Sequence, residues 1–295
     1  SPSFLFLMMG IIAVAAMTAT YYVSRNYDNP ELVVISESIV VIVIFVIGNS
    51  VIKSVEQMAR LNKMKNEFVS IVSHQLRTPI SAINWETEIL LSKLKSGMTE
   101  KQSAGIETIR ALSIRMTKLV NDLLDVTKID QGRLILKNEE VDLGGIARSV
   151  VDNLFPLIKA KNIRVVVNDN GKAYLCLGDK EKIGLVIENL LSNSIKYIST
   201  RGKIEIKIKK NQGFSVFSIK DNGVGIPQKQ QGQVFEKFFR SDNVLKYQTE
   251  GTGLGLYIAK NIIEQLGGKI WFYSKEDVGT VFNFSLPLRS CKLIK

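Results

Sequence analysis

The chain is 295 residues long, 45% hydrophobic and 23% charged, with a formal net charge of +11 and two cysteines. That length accommodates a membrane segment and one or two modest domains. The distant Cys176 and Cys291, without CxxC or Cys/His spacing, argue against a disulfide framework or zinc site and fit a reducing cytosol.

Arg25 is the only basic residue among the first 52, so the charge asymmetry is a matter of topology. No aromatic-interleaved basic patch stands out, and the remaining lysines and arginines read as a solvated face beside anionic lipid rather than as a nucleic-acid surface.

Phe4 to Val23 is an uncharged, largely apolar run, close to the roughly 20 residues that a helix needs to cross a bilayer core. A second run, Leu32 to Ile52, centres on the unbroken IVVIVIFVI from Ile39. Two transmembrane helices, about 4–23 and 32–52, are expected within a membrane region 1–52, with Glu37 near the interface or facing a partner helix. Lys53, Arg60, Lys63 and Lys65 follow, so the positive-inside bias places the remainder in the cytoplasm and the short SRNYDNPE loop outside. The first run lacks the basic flank of a signal peptide and is long for one. Because the chain begins with Ser1, further membrane helices or a sensor module are expected upstream.

After a juxtamembrane helix, 53–65, the pattern predicts a helical hairpin over 66–132. One helix reads from Val51 to about Ser96, SGMT breaks it, and a second runs from about Glu100 to Asp130. Gly97 can end the first, and Thr99 with Gln102 forms a capping-box pattern for the second. Ile109, Leu112, Met116, Leu119, Leu123 and Val126 repeat with 3,4 spacing, and Leu61, Met64, Phe68 and Ile71 supply a matching seam. Two such hairpins pair into a four-helix bundle, so a homodimer is expected. His74, the only histidine, falls on the flank of the seam, where it can reach solvent. Pro79 removes a backbone donor nearby and loosens the helix.

Beyond the connector QGRLIL, residues 138–290 read as mixed helices and strands. Ile204, Ile206 and Ile208 alternate with Glu205, Lys207 and Lys209, and Phe282, Phe284 and Leu286 repeat the period of two. Helices expected at Leu143–Lys161, Lys180–Ile198 and Leu254–Leu266 can cover one sheet face, giving an α/β two-layer sandwich. Asn189, Asn193 and Lys196 lie at i, i+4 and i+7 and converge on one site. In DNGVGIP, Gly223 and Gly225 allow close backbone approach beside Asp221. GTGLGL opens into a helix, so Gly251, Gly253 and Gly255 can present backbone donors to a phosphate. No strand-first βαβ unit precedes it, against a dinucleotide fold. Pro227 to Gly251 reads as a mobile lid anchored by Phe235, Phe238 and Phe239.

Taken in order, SHQLRTP at His74, NLLSNSIKY, DNGVGIP, FEKFFR and GTGLGL closely resemble the boxes of membrane sensor histidine kinases, over about Asn66 to Leu288. The resemblance implies a dimerisation and phosphoacceptor hairpin and a Bergerat-type ATP-binding domain, shared with gyrase and mismatch-repair ATPases. It implies transfer of the ATP γ-phosphoryl group to His74 and then to an aspartate of a separate response regulator. Asn193 matches the Mg2+ ligand, Lys196 offers charge to the phosphates, Tyr197 packs near the nucleotide, and Asp221 accepts the adenine amino group. Arg240, Thr252 and Leu254 belong to the phosphate-side segments. Thr78 matches the position that orients water for regulator dephosphorylation, and Arg77 can pair with phosphate or an acidic partner.

Gln75 departs from the pattern, which has Glu or Asp after the histidine; its amide can orient the ring but cannot take a proton. Asn189 stands where the ATPase relatives have a water-activating glutamate, and the adjacent Glu188 points about 100° away around the helix. Two alternatives remain: an ATP-binding scaffold or phosphatase-biased receptor, favoured by Gln75, and an ATP-hydrolysing machine, disfavoured by Asn189.

Overall fold

The computed structural model describes residues 2–25, 30–93, 97–169, 174–198, 201–241 and 251–288. Several side chains within the first two helices, including those of Glu37, Lys63, Lys65, Asn66 and His74, lie outside the described set, as does Cys291. The chain divides into two compact units, Ser1–Ile71 and Val72–Lys295.

The first unit holds helix α1, Pro2–Ser24, and the larger, opening part of α2, Pro30–Lys93. Pro30 takes the first helical position, where its missing N–H leaves no bond unmade. The second predicted membrane helix and the first helix of the hairpin are therefore one uninterrupted helix. Among the described residues one segment, Ser38–Leu61, is long and apolar enough to cross a membrane, lying further along the chain than the expected 32–52. Ile39, Ile42, Phe45 and Val46 are exposed along it. The described apolar stretch of α1, Gly10–Tyr22, is shorter than a span. Leu61, Met64, Phe68 and Ile71 form an uncovered stripe further along α2.

In the second unit, the rest of α2 pairs antiparallel with α3, Glu100–Asp130. Arg77 Nη2 donates to Asn121 Oδ1 (3.0 Å), Asn84 Nδ2 to Thr117 Oγ1 (3.3 Å), and Ser113 Oγ to the Ile80 carbonyl (3.1 Å). Ile80, Val120 and Leu124 fill the space between the helices. Pro79 sits inside α2 without ending it. The capping box is present: Thr99 Oγ1 accepts from Gln102 N, and Gln102 Oε1 accepts from Thr99 N. Thr99→Ala is expected to cost about 1 kcal/mol and to lower the melting temperature by about 2–4 °C, as followed by circular dichroism.

The α/β part contains β1 (Glu139–Asp142), α4 (Leu143–Asn153), α5 (Phe155–Ala160), β2 (Arg164–Asn168), β3 (Leu175–Gly178) and α6 (Lys180–Tyr197). β4 (Lys203–Asn211), β5 (Phe214–Asp221), α7 (Gly255–Gln265), β6 (Lys269–Lys275) and β7 (Gly279–Pro287) follow. The expected single helix over 143–161 is divided at Leu154, because Pro156 sits in the first turn of α5 and cannot occupy a helix interior. Five strands form one sheet in the order β2-β4-β5-β7-β6, and β1 pairs with β3 beside it.

Ile204, Ile206, Phe217, Ile219 and Phe284 face inward, buried against Ile183, Leu190, Ile258 and Ile262 of α6 and α7. Val126 of α3 and Leu134 of the connector join the same core. Burial pushes the Cys176 thiol up to about 12, which keeps it protonated and inert.

Candidate active site

Helix α6 supplies one wall of a cleft. Asp179 caps its start by accepting from Lys182 N (3.0 Å). The Lys161 ammonium closes its end on the carbonyls of Ile195, Lys196 and Ile198 (2.9–3.2 Å), satisfying acceptors that a helix terminus leaves open. Between these anchors Asn189, Asn193 and Lys196 all line a cavity of about 310 Å³, the small end of the range for ligand sites. Asn189 is buried, with its amide Nδ2 donating to the Gly255 carbonyl (3.4 Å). Lys196 Nζ lies 5.3 Å from the centre of the Tyr197 ring, and burial raises the Tyr197 phenol above its ordinary range.

Asp221, at the end of β5, forms a second corner. Its Oδ1 accepts from Gly223 N (2.9 Å) and Thr280 N (3.1 Å), and its Oδ2 accepts from Ser194 Oγ (3.1 Å). A carboxylate oxygen has about two acceptor positions, so Oδ2 retains one for a donor from the cleft. Burial pushes this carboxyl up, against the three hydrogen bonds that favour its ionised form. Two glycines here have no substitute: a Cβ at Gly223 would stand 2.7 Å from the Tyr197 carbonyl oxygen, and one at Gly225 (φ +66°) 2.1 Å from that of Lys275. Asp221 and Gly225 line a smaller cavity of about 70 Å³, which shares Asn193, Tyr197 and Arg240 with the larger one.

The phosphate-loop residues occupy the opposite end. Gly251 (φ +142°) and Gly253 (φ +69°) turn the chain into α7, which starts without a side-chain cap. Arg240 Nη1 donates to the Gly251 carbonyl (3.5 Å), and Leu254 is buried as the residue before the helix. Thr252 lines the larger cavity with Gly251 and Gly253, and its hydroxyl donates to Asp122 Oδ2 of α3 (3.2 Å) and accepts from Leu254 N (3.1 Å). Residues 228–233 form a 3-10 helix, whereas 242–250 of the expected lid lie outside the described residues.

Helix α3 closes the cleft, which no local pattern in the sequence signals. Arg115, Lys118, Leu119 and Asp122 line the larger cavity. Lys118 pairs with Glu188 (3.4 Å), Asp125 with Lys182 (3.1 Å), and Asp130 receives both Lys237 (2.6 Å) and the Tyr257 hydroxyl (3.0 Å). Glu188, facing away from the cleft residues of its helix, is thus engaged by α3.

Burial raises the Asp122 carboxyl above its ordinary range; Lys118 and Thr252 oppose the shift, while Asp125 and Glu188 add to it. A raised folded-state value means stability that is complete below the unfolded value of about 4 and declines as pH rises through the folded one. Asp122→Asn should therefore melt a few degrees above wild type at neutral pH, with the difference shrinking in acid; equal melting curves throughout would contradict this.

His74 lies on α2 just under one turn before Arg77; its side chain is outside the described residues. Gln75 and Thr78 are exposed, whereas Arg77, expected to meet phosphate or a partner, is held by Asn121 of α3. Among the described residues no cluster of three His, Cys, Asp or Glu side chains could hold a metal ion. A cation in the cleft would use the Asn193 amide oxygen together with a ligand's phosphate oxygens and water, a donor set that suits Mg2+.

Residues 64–132 match the His Kinase A (phospho-acceptor) domain, and residues 178–290 match the family of histidine kinase-, DNA gyrase B- and HSP90-like ATPases. The chain belongs to the two-component sensor histidine kinases.

Its relatives include the sensor histidine kinase WalK of Bacillus subtilis, 31% identical over 81% of this chain and 39% of that protein. WalK of Staphylococcus aureus is 30% identical over 83% of this chain and 58% of its own length. The circadian input-output histidine kinase CikA of Synechococcus elongatus is 29% identical over 77% and 30%. The chain thus spans between 30% and 58% of these relatives. Two solved structures share the fold: full-length ShkA in complex with AMPPNP (TM-score 0.61, 24% identity, 75% of this chain and 45% of that one) and Acinetobacter baumannii AdeS (0.52, 20%, 73% and 98%).

Proposed function

We propose that this histidine kinase is anchored in a membrane, acts as a homodimer, and transfers the γ-phosphoryl group of ATP to His74 and then to an aspartate of a separate response regulator. The observation that carries the reading is one cleft with a buried carboxylate acceptor, Asp221, at one end and Lys196, Arg240 and the glycine turn at the other, on a chain whose hairpin bears His74. Adenine donates its amino group to the remaining Asp221 acceptor, with Gly223 and Gly225 admitting the ring and Tyr197 beside it. The triphosphate extends towards Lys196, Arg240 and the amides of Gly251–Gly255. Bound Mg2+, held by Asn193 and phosphate oxygens, would neutralise charge on the transferred group.

His74 attacks the γ-phosphorus through one ring nitrogen. The nitrogen–phosphorus bond forms as the bond to the β,γ-bridging oxygen breaks, and ADP leaves with that electron pair. Gln75 orients the other ring nitrogen, whose proton passes to solvent. Asn189, neutral and bonded to Gly255, does not activate water. Thr78 orients water for dephosphorylating the partner regulator.

The exposed stripes on α2 (Leu61, Met64, Phe68, Ile71) and α3 (Ile109, Leu112, Met116) support the dimer, since each such side chain gains about 1.5–3 kcal/mol on full burial. The Ser38–Leu61 segment supports anchoring, and α1 is read as a second crossing. Quenched-flow counting of ADP tests the chemistry. We expect a burst of about one ADP per chain and then a plateau, with Gln75→Glu raising the burst rate about tenfold, below the usual contribution of a general base. Continuing phosphate release without a regulator would indicate an ATPase, and nucleotide binding without a burst would indicate the scaffold or phosphatase suggested by Gln75.

A further inference from the structure

The face of the five-stranded sheet turned away from α6 and α7 gathers much of the chain's excess positive charge. In β4, Lys203, Lys207 and Lys209 alternate with the buried isoleucines, and the register sets Arg164 of β2 beside Lys203 and Lys220 of β5 beside Glu205. β6 adds Lys269 and Lys275 on the same face. These are seven basic groups against one carboxylate. Glu205 is bound by Lys207 (2.9 Å) and Asn168 (2.9 Å), and its carboxyl is held below the ordinary range first by the Lys207 hydrogen bond and also by the charges of Lys207, Lys203 and Lys220.

Between the β6 lysines stand Trp271 and Tyr273, the latter 69% exposed, with Val281 opposite Tyr273 on β7. No single segment of the sequence stands out as an aromatic-interleaved basic patch; the strand order assembles one. Its partner must be anionic and broad. A base-stacking platform needs exposed rings on the central strands, yet β5 and β7 carry Val216, Ser218 and the buried Asn283 and Ser285 there, with a single half-buried ring, Phe214, at the start of β5. Lysines beside a Trp–Tyr pair instead have the composition of a membrane interface.

We propose that this sheet face binds an anionic phospholipid surface, holding the catalytic domain against the membrane. The proposal rests on the anchored reading above, since attachment to a membrane-spanning helix makes even weak contacts effective by raising the local lipid concentration.

The test uses the full chain with Trp85→Phe, which leaves Trp271 as the only tryptophan, mixed with phosphatidylcholine vesicles with or without about a third phosphatidylglycerol. Flotation with neutral vesicles reports anchoring, and quenching of Trp271 by lipids with a headgroup-proximal quencher reports the face, so failure of one is distinguishable from failure of the other. The proposal expects quenching only with phosphatidylglycerol and its loss at about 0.5 M salt. Lys203→Gln/Lys207→Gln/Lys220→Gln should weaken the contact roughly fivefold per lysine, on the order of 100-fold together. Circular dichroism checks that this variant folds, and the salt dependence of the unmutated face stands if it does not.

Equal or absent quenching in both vesicle types overturns the proposal, whether or not the chain floats. Binding of a short single-stranded oligonucleotide that depends on the same lysines, without lipid quenching, overturns it in favour of nucleic acid.

Discussion

Gly225→Ala is expected to lower nucleotide affinity by at least about 30-fold. Gly225 has a φ of +66°, and a Cβ there would stand 2.1 Å from the Lys275 carbonyl oxygen and 2.7 Å from its carbon. The left-handed conformation costs a non-glycine residue about 1–2 kcal/mol, and an overpacked site about 1–3 kcal/mol more. The obstruction is backbone at the end of β6, which cannot swing aside as a side chain would.

The turn must therefore shift, and it carries Gly223, the amide that holds Asp221 Oδ1. Each 1.4 kcal/mol corresponds to about tenfold in affinity, so the combined cost accounts for the expected loss. Gly232→Ala, where an added Cβ meets nothing within 4 Å, serves as the control and should bind a fluorescent ATP analogue within about twofold of wild type. Equal affinities for all three proteins would show that nucleotide does not rest on this turn.

Asn193→Ala is expected to reduce the phosphorylation rate by about 10²–10³, the usual effect of removing one group that stabilises transition-state charge. Asn193 lines both cavities, where the Asp221 corner meets the phosphate end. Its truncation leaves Asp221 and its partners intact, so nucleotide affinity measured without Mg2+ should change little. The diagnostic is a loss of rate together with a weaker Mg2+ dependence. Unchanged Mg2+ dependence would place the cation elsewhere.

These residues were legible in the sequence because their constraints are local. The 3.6-residue period alone sets Asn189, Asn193 and Lys196 on one helix face, and the turn at Gly225 has a backbone conformation that favours glycine. The groups that hold them were not. Lys161, Ser194 and Thr280 act by closing hydrogen bonds on α6 and Asp221, pairings that exist only once the sheet is assembled. Likewise, Asp122 and Lys118 read as ordinary positions of a heptad helix, and only the packing of α3 against α6 and α7 brings them to the cleft.

One missed boundary did have a local signal. Pro156 marks the break between α4 and α5. Conversely, nothing in the sequence between Ile52 and Lys53 breaks a helix, in keeping with the continuous α2.

The central claim is that His74 receives the γ-phosphoryl group of ATP. The most direct measurement incubates the full chain in vesicles with Mg2+ and γ-labelled ATP and compares wild type with His74→Gln. The account predicts a label on wild type that is lost in acid and stable in base, about one per chain at most, and none on His74→Gln despite unchanged nucleotide binding. A label that survives in His74→Gln, or one that resists acid, would contradict it.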